Sequence, residues 1–123
     1  MKKYANLNLI YVADIDRSVS FYTHLFGFEP DFISPRYVAF RTSEATLPLF
    51  ALWSGGATPD PKAARFSEIG IMLDNSQKIH DLYATCLEED TLEIVETLHE
   101  DVFGWTFTFR DPDGHVIRIC PID

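Results

Sequence analysis

Cysteine is scarce in this chain: Cys86 and Cys120 are its two copies in 123 residues. Two thiols so far apart make neither a disulfide framework nor a metal knuckle, and they fit a reducing, cytoplasmic setting. No apolar run approaches the roughly 20 residues of a membrane span. The opening residues, MKKYANLNLIYVADID, meet acids too early for a secretory leader. Basic residues are few, 10 against 19 acidic ones, and the formal net charge is −9. That balance disfavours nucleic-acid backbones and anionic membranes, with solvated surface charge accounting for most of it. Phosphate-cradling loops are missing too, since Gly55-Gly56 has neither a following Lys nor a helix start. No nucleophile elbow is present, and neither cysteine has a cationic run beside it. His24, His80, His99 and His115 show no metal-ligand spacing. The first two fall on expected helices and His99 in an expected loop.

What is present argues for a folded domain, with 46% hydrophobic and 24% charged residues. The clearest local signal is WTFTFRDPDGHVIRIC, residues 105–120. Trp105, Phe107 and Phe109 alternate with Thr106, Thr108 and Arg110, and Val116, Ile117 and Ile119 form a second β-branched run. Between them Asp111-Pro112-Asp113-Gly114 combines an Asp able to bond its own backbone, a preset φ and a left-handed glycine, which predicts a hairpin. Upstream, residues 6–12 read as a strand apolar on both faces and expected to be covered on both. A helix follows over 16–27, capped by Asp14 or Asp16, with Val19, Tyr22 and Phe26 on its buried stripe and Gly27 as its stop. Strands are expected at 28–34, 37–42 and 49–53. Residues 66–73 give a strand, 76–89 a helix and 92–97 a short strand. Glu88-Glu89-Asp90 and Glu93 through Glu96 read as a solvated helix end and an exposed strand face.

The second half repeats the first. An offset of 61 residues lays Leu9-Ile10-Tyr11-Val12 on Gly70-Ile71-Met72-Leu73, Asp14 on Asn75, and Phe21-Tyr22 on Leu82-Tyr83. Each half reads β-α-β-β-β, an α+β organisation with module one at 1–54, a Gly/Pro-rich linker at 55–64 and module two at 65–123. Neither half carries enough apolar surface to be comfortable alone.

Val12-x-Asp14 with Ser18, Phe21-Tyr22, Leu25 and Gly27-Phe28 resembles the opening signature of the vicinal oxygen chelate superfamily, which includes glyoxalase I, extradiol dioxygenases and bleomycin-resistance proteins. Phe103-Gly104, Phe107, Phe109 and Asp111-Pro112-Asp113-Gly114 resemble its closing signature. The resemblance spans the chain and implies two βαβββ modules whose curled mixed sheets surround a shared cavity, in a homodimer, sometimes module-swapped. In metal-dependent members, four strand side chains hold a divalent ion in that cavity. By the resemblance their positions fall on Leu7, on the apolar stretch 49–53, on Glu68 and on Arg118. Leucine has no electron pair to give, and a guanidinium is a permanent cation, so no metal and no other cofactor is expected.

Glu68 and Arg118 are instead expected to pair, or to leave Arg118 for an anionic or carbonyl-bearing ligand. Strand parity adds Leu7, Leu9, Tyr11, Trp53, Met72 and Trp105 as apolar cavity walls. Tyr37 and Arg41 join them unless the strand slips by one residue, which would substitute Val38 and Phe40. The expected function is metal-independent binding of an aromatic or amphipathic small molecule, in the manner of drug-sequestering resistance proteins. Two alternatives stay open: a divergent glyoxalase-like or dioxygenase-like enzyme, and a dimeric domain whose cavity has filled with side chains.

Overall fold

The computed structural model describes residues 1–43 and 48–122. Ten elements follow in the order β1 (Leu7–Tyr11), α1 (Ile15–Phe26), β2 (Phe32–Ile33), β3 (Tyr37–Arg41), β4 (Leu49–Trp53), β5 (Glu68–Leu73), α2 (Ser76–Leu87), β6 (Ile94–Asp101), β7 (Gly104–Arg110) and β8 (Val116–Pro121). They divide into two compact units, Met1–Asp60 and Pro61–Asp123. Each unit holds one helix and one four-stranded mixed sheet, ordered β1-β4-β3-β2 in the first and β5-β8-β7-β6 in the second. The first strand of each unit runs parallel to the last, and the remaining pairs are antiparallel. No helix among the described residues is long and apolar enough to cross a membrane.

The 61-residue repeat extends to atomic detail at the helix starts. Asp14 is the cap of α1 and accepts from the Arg17 N–H at 3.1 Å; Asn75 caps α2 and accepts from the Lys78 N–H at 2.9 Å. Both satisfy one of the amides that a helix start leaves unpaired. The ends differ. Gly27 closes α1 in the left-handed region at φ +81°, whereas Glu88 closes α2 with right-handed geometry.

Each helix lies on one face of its own sheet. In the first unit Tyr22 is fully buried, with its ring centroid 5.0 Å from Phe50, and Phe26 meets Phe40 and Phe50 at 5.3 and 5.5 Å. In the second, Ile79 and Cys86 of α2 are buried, and Tyr83 meets Phe107 at 5.0 Å above buried Phe109, Ile117 and Ile119. Strand alternation turns the other side chains to the face that the helix does not cover.

Three sequence expectations need correction. The strand at 28–34 is cut to Phe32–Ile33. The strand expected at 92–97 runs from Ile94 to Asp101, which places His99 in a strand rather than a loop. Within its own unit β1 has α1 on one face, and in the single chain Leu7, Leu9 and Tyr11 on the other are 48%, 42% and 43% exposed. Periodicity reports that both faces are apolar, not that a partner covers both.

Asp14→Ala and Asn75→Ala are each expected to lower stability by about 1 kcal/mol. Phe107→Ala, which empties a fully buried site, should cost about 3–5 kcal/mol. Urea unfolding followed by circular dichroism measures both.

Candidate functional site

The face of the second sheet that α2 does not cover carries a connected polar cluster. Ile69 and Ile71, Ile117 and Ile119, and Phe107 and Phe109 lie on the helix side. The intervening residues Glu68, Gly70, Met72, Arg118, Thr106 and Thr108 therefore share the other face. Register lines up one row across the sheet: Gly70 of β5 opposite Arg118 of β8, then Thr108 of β7, then Glu96 of β6.

Arg118 is the centre of that row. Its Nε donates to Glu68 Oε1 at 2.7 Å and its Nη2 to Glu68 Oε2 at 2.9 Å, a two-pronged pairing that fixes the guanidinium plane. Nη2 also donates to Glu96 Oε1 at 2.9 Å, and Nη1 to Thr106 Oγ1 at 3.1 Å. Both threonines are buried, and each hydroxyl both donates and accepts. Thr106 Oγ1 donates to the Ile119 carbonyl at 2.7 Å, while Thr108 Oγ1 donates to Glu96 Oε1 at 3.2 Å and accepts the Glu96 N–H at 3.1 Å. Four of the five guanidinium N–H groups are engaged, leaving one on Nη1. With both carboxylates ionised the cluster carries a net charge of −1.

The hydrogen bonds from Arg118, helped by its charge, hold the Glu68 carboxyl below the ordinary carboxylate range against a smaller opposing effect of burial. The same pairing raises Arg118 still further above its already basic value. Cys86 is different: burial, with the Glu89 charge beside it, pushes its thiol up to about 11. It is therefore a packed thiol and not a nucleophile at neutral pH.

On the first sheet the face away from α1 is mostly apolar. Register places Leu7, Leu9 and Tyr11 beside Leu49, Ala51 and Trp53, and then Tyr37, Ala39 and Arg41. Val38 and Phe40 are buried on the helix side, which settles the strand phase. Arg41 is held by Asp31, Nε to Oδ1 at 3.0 Å. The Arg36 guanidinium sits 5.7 Å from the Trp53 ring centroid. Gly55 and Gly56 pass so close to the Trp53 and Tyr11 rings that a side chain on either would collide.

Of the residues singled out in the sequence, Glu68 and Arg118 are brought into direct contact, with Met72 on the same uncovered face. Leu7, Leu9, Tyr11, Tyr37, Arg41 and Trp53 share a face of the first sheet. Trp105 is placed elsewhere: it follows the phase of Phe107 and packs on the helix side, 4.9 Å from His80. Sequence reasoning missed Glu96, Thr106 and Thr108. The threonines carry a readable signal, since their alternation with Trp105, Phe107 and Phe109 puts them on the Arg118 side. Glu96 carries none, because register shifts on both sides of it break the period of β6.

The side chains at the family's four metal positions do not fit a divalent ion. Leu7 and the side chains of 49–53 offer no donor, Glu68 is committed to Arg118, and a fixed cation stands at the fourth position. No three His, Cys, Asp or Glu side chains among the described residues form a metal-binding group.

Two repeated βαβββ units, each with a helix on one sheet face and the remaining strand side chains turned to the other, define a duplicated α+β class of protein. The chain belongs to the glyoxalase/bleomycin resistance protein/dioxygenase superfamily, whose sequence pattern matches residues 4–119. It is 46% identical over 120 residues to the phenazine antibiotic resistance protein EhpR of Enterobacter agglomerans, covering 96% of this chain and 92% of that one. A solution structure of an Agrobacterium tumefaciens protein superposes with a TM-score of 0.79 at 23% identity, over 99% of both chains. The crystal structure of a glyoxalase/bleomycin resistance protein/dioxygenase from Nocardioides does so with 0.75 at 17%, over 97% of this chain and 83% of that one. At such identities the two structures speak to fold alone.

The lowered carboxyl of Glu68 makes its pairing acid-sensitive. The stabilisation is present above the unfolded carboxyl value and is lost as pH falls through the lowered folded one, from about pH 5 downward. Unfolding measured across that range should show a loss in the wild type that Glu68→Gln lacks. At neutral pH Arg118→Met should cost no more than about 1 kcal/mol, because Glu68 and Glu96 keep 41% and 45% of their side-chain surface in contact with water.

Proposed function

We propose that this chain binds a planar aromatic or amphipathic small molecule without a metal ion and protects by sequestration, with phenazine-type compounds as the ligand class. The observation that carries the reading is the Arg118 cluster. The side chain at the family's fourth metal position is a cation clamped by Glu68 and Glu96, so the uncovered face offers hydrogen bonds and charge in place of a Lewis acid. The likeness to a phenazine antibiotic resistance protein supports the ligand class. The net negative charge of the cluster favours neutral or cationic aromatics over carboxylates. Arg118, Glu68 and Met72 are the proposed contacts in the second unit. In the first, Leu7, Leu9, Tyr11 and Trp53 supply surface on which flat rings pack well. The homodimer and the cytoplasmic setting expected from the sequence belong to the same proposal.

Purified protein should bind phenazine saturably in buffer containing a chelator, quenching tryptophan fluorescence and raising the thermal midpoint as ligand is added. Arg118→Ala should weaken that binding at least tenfold. The reading is overturned by stoichiometric zinc, nickel or iron that survives dialysis and is lost in Glu68→Ala. Chemical conversion of the bound phenazine would instead establish an enzyme.

A further inference from the structure

Gly70 is a glycine that the fold does not require. The chain has six glycines, and five have a structural reason. Gly27, Gly104 and Gly114 adopt left-handed φ values of +81°, +116° and +89°. Gly55 and Gly56 run against the Trp53 and Tyr11 rings, where a Cβ would clash. Gly70 has neither reason. Its backbone is that of an ordinary strand residue, and a Cβ built on it would meet no heavy atom within 4 Å. Arg118, its register partner, therefore does not use the vacated space. Glycine inside a strand weakens the strand, and it marks places where a ligand comes close to the backbone.

The surroundings fit such an approach. Gly70 stands between Glu68 and Met72 on the uncovered face, beside the guanidinium that Glu68, Glu96 and Thr106 hold still. Met72 is 62% exposed, an unusual setting for a thioether, and sulfur makes favourable contacts with aromatic edges. The 61-residue repeat supplies an internal contrast. Leu9 is the counterpart of Gly70 and is paired with Ala51, whereas Gly70 is paired with Arg118. The first unit keeps a side chain where the second has a gap.

We infer that Gly70 is a specificity-determining residue, the floor on which a flat aromatic ligand lies against the backbone of β5, with Arg118 at its side and the Met72 thioether at its edge. The inference rests on the proposed binding of planar aromatics and names the position that admits them.

The test uses phenazine as the probe and the full chain carrying Gly70→Ala or Gly70→Val. Both variants should keep or raise the thermal midpoint, Gly70→Val by about 2–6 °C, because each adds a side chain to a strand position with room for it. Both should lose affinity, Gly70→Val at least tenfold and Gly70→Ala by less. Wild-type affinity in both variants overturns the role of Gly70 and leaves the binding function standing. A loss of affinity that tracks a fall in thermal midpoint overturns it as well, since strand disruption then explains the loss. A wild-type protein that does not bind phenazine overturns the binding function and this inference together.

Discussion

A guanidinium cannot shed its proton, so a sheet that carries one on a half-sheltered face must bring acceptors to it. In this protein Glu68 comes from β5, Glu96 from β6 and the Thr106 hydroxyl from β7, all converging on Arg118 of β8. The four strands of the second sheet are thus tied by side chains as well as by their backbone ladder. The pairing constrains chemistry too. Carboxylates engaged with a permanent cation are poor candidates for a divalent ion, and the cation itself offers a ligand hydrogen bonds and charge.

The two units show how one scaffold supports two different surfaces. Their helices begin with the same capping bond, Asp14 to Arg17 and Asn75 to Lys78, at the same 61-residue offset. Their helix-covered faces are both apolar and aromatic. On the uncovered faces the units part: Leu7, Leu9 and Tyr11 in the first correspond to Glu68, Gly70 and Met72 in the second. Packing against a helix restricts one side of each strand to apolar residues, while the other side is free to take on different chemistry.

Much of the fold was legible because it depends on local rules. The Asp111-Pro112-Asp113-Gly114 turn was readable from its composition, and in the structure Asp111 Oδ1 accepts the N–H groups of Asp113 and His115 at 2.9 Å each. The duplication was readable because the Asp14/Asn75 caps, the Tyr22/Tyr83 pair and the two first strands share one spacing. Less of the site was legible. Glu68 and Arg118 can be named from the family pattern, whereas Trp105, expected as a cavity wall, packs on the helix side against His80. Glu96 reads as any solvated acid, since the register shifts on both sides of it in β6 hide which way its side chain turns.

By itself, the sequence determined the β-α-β-β-β order of each half, the capped helices, the closing hairpin and the unsuitability of Leu7 and Arg118 as metal ligands. These follow from periodicity, turn chemistry and the donor properties of single side chains. Tertiary structure alone decided that Gly70, Arg118, Thr108 and Glu96 form one row, and that Arg118 answers to two carboxylates rather than one. Such facts rest on register between strands up to 50 positions apart in the chain. A one-residue slip would send every one of those side chains to the other face, and no local pattern records the choice. The glycine at 70 gains its meaning the same way, from the empty space above it that only the folded sheet defines.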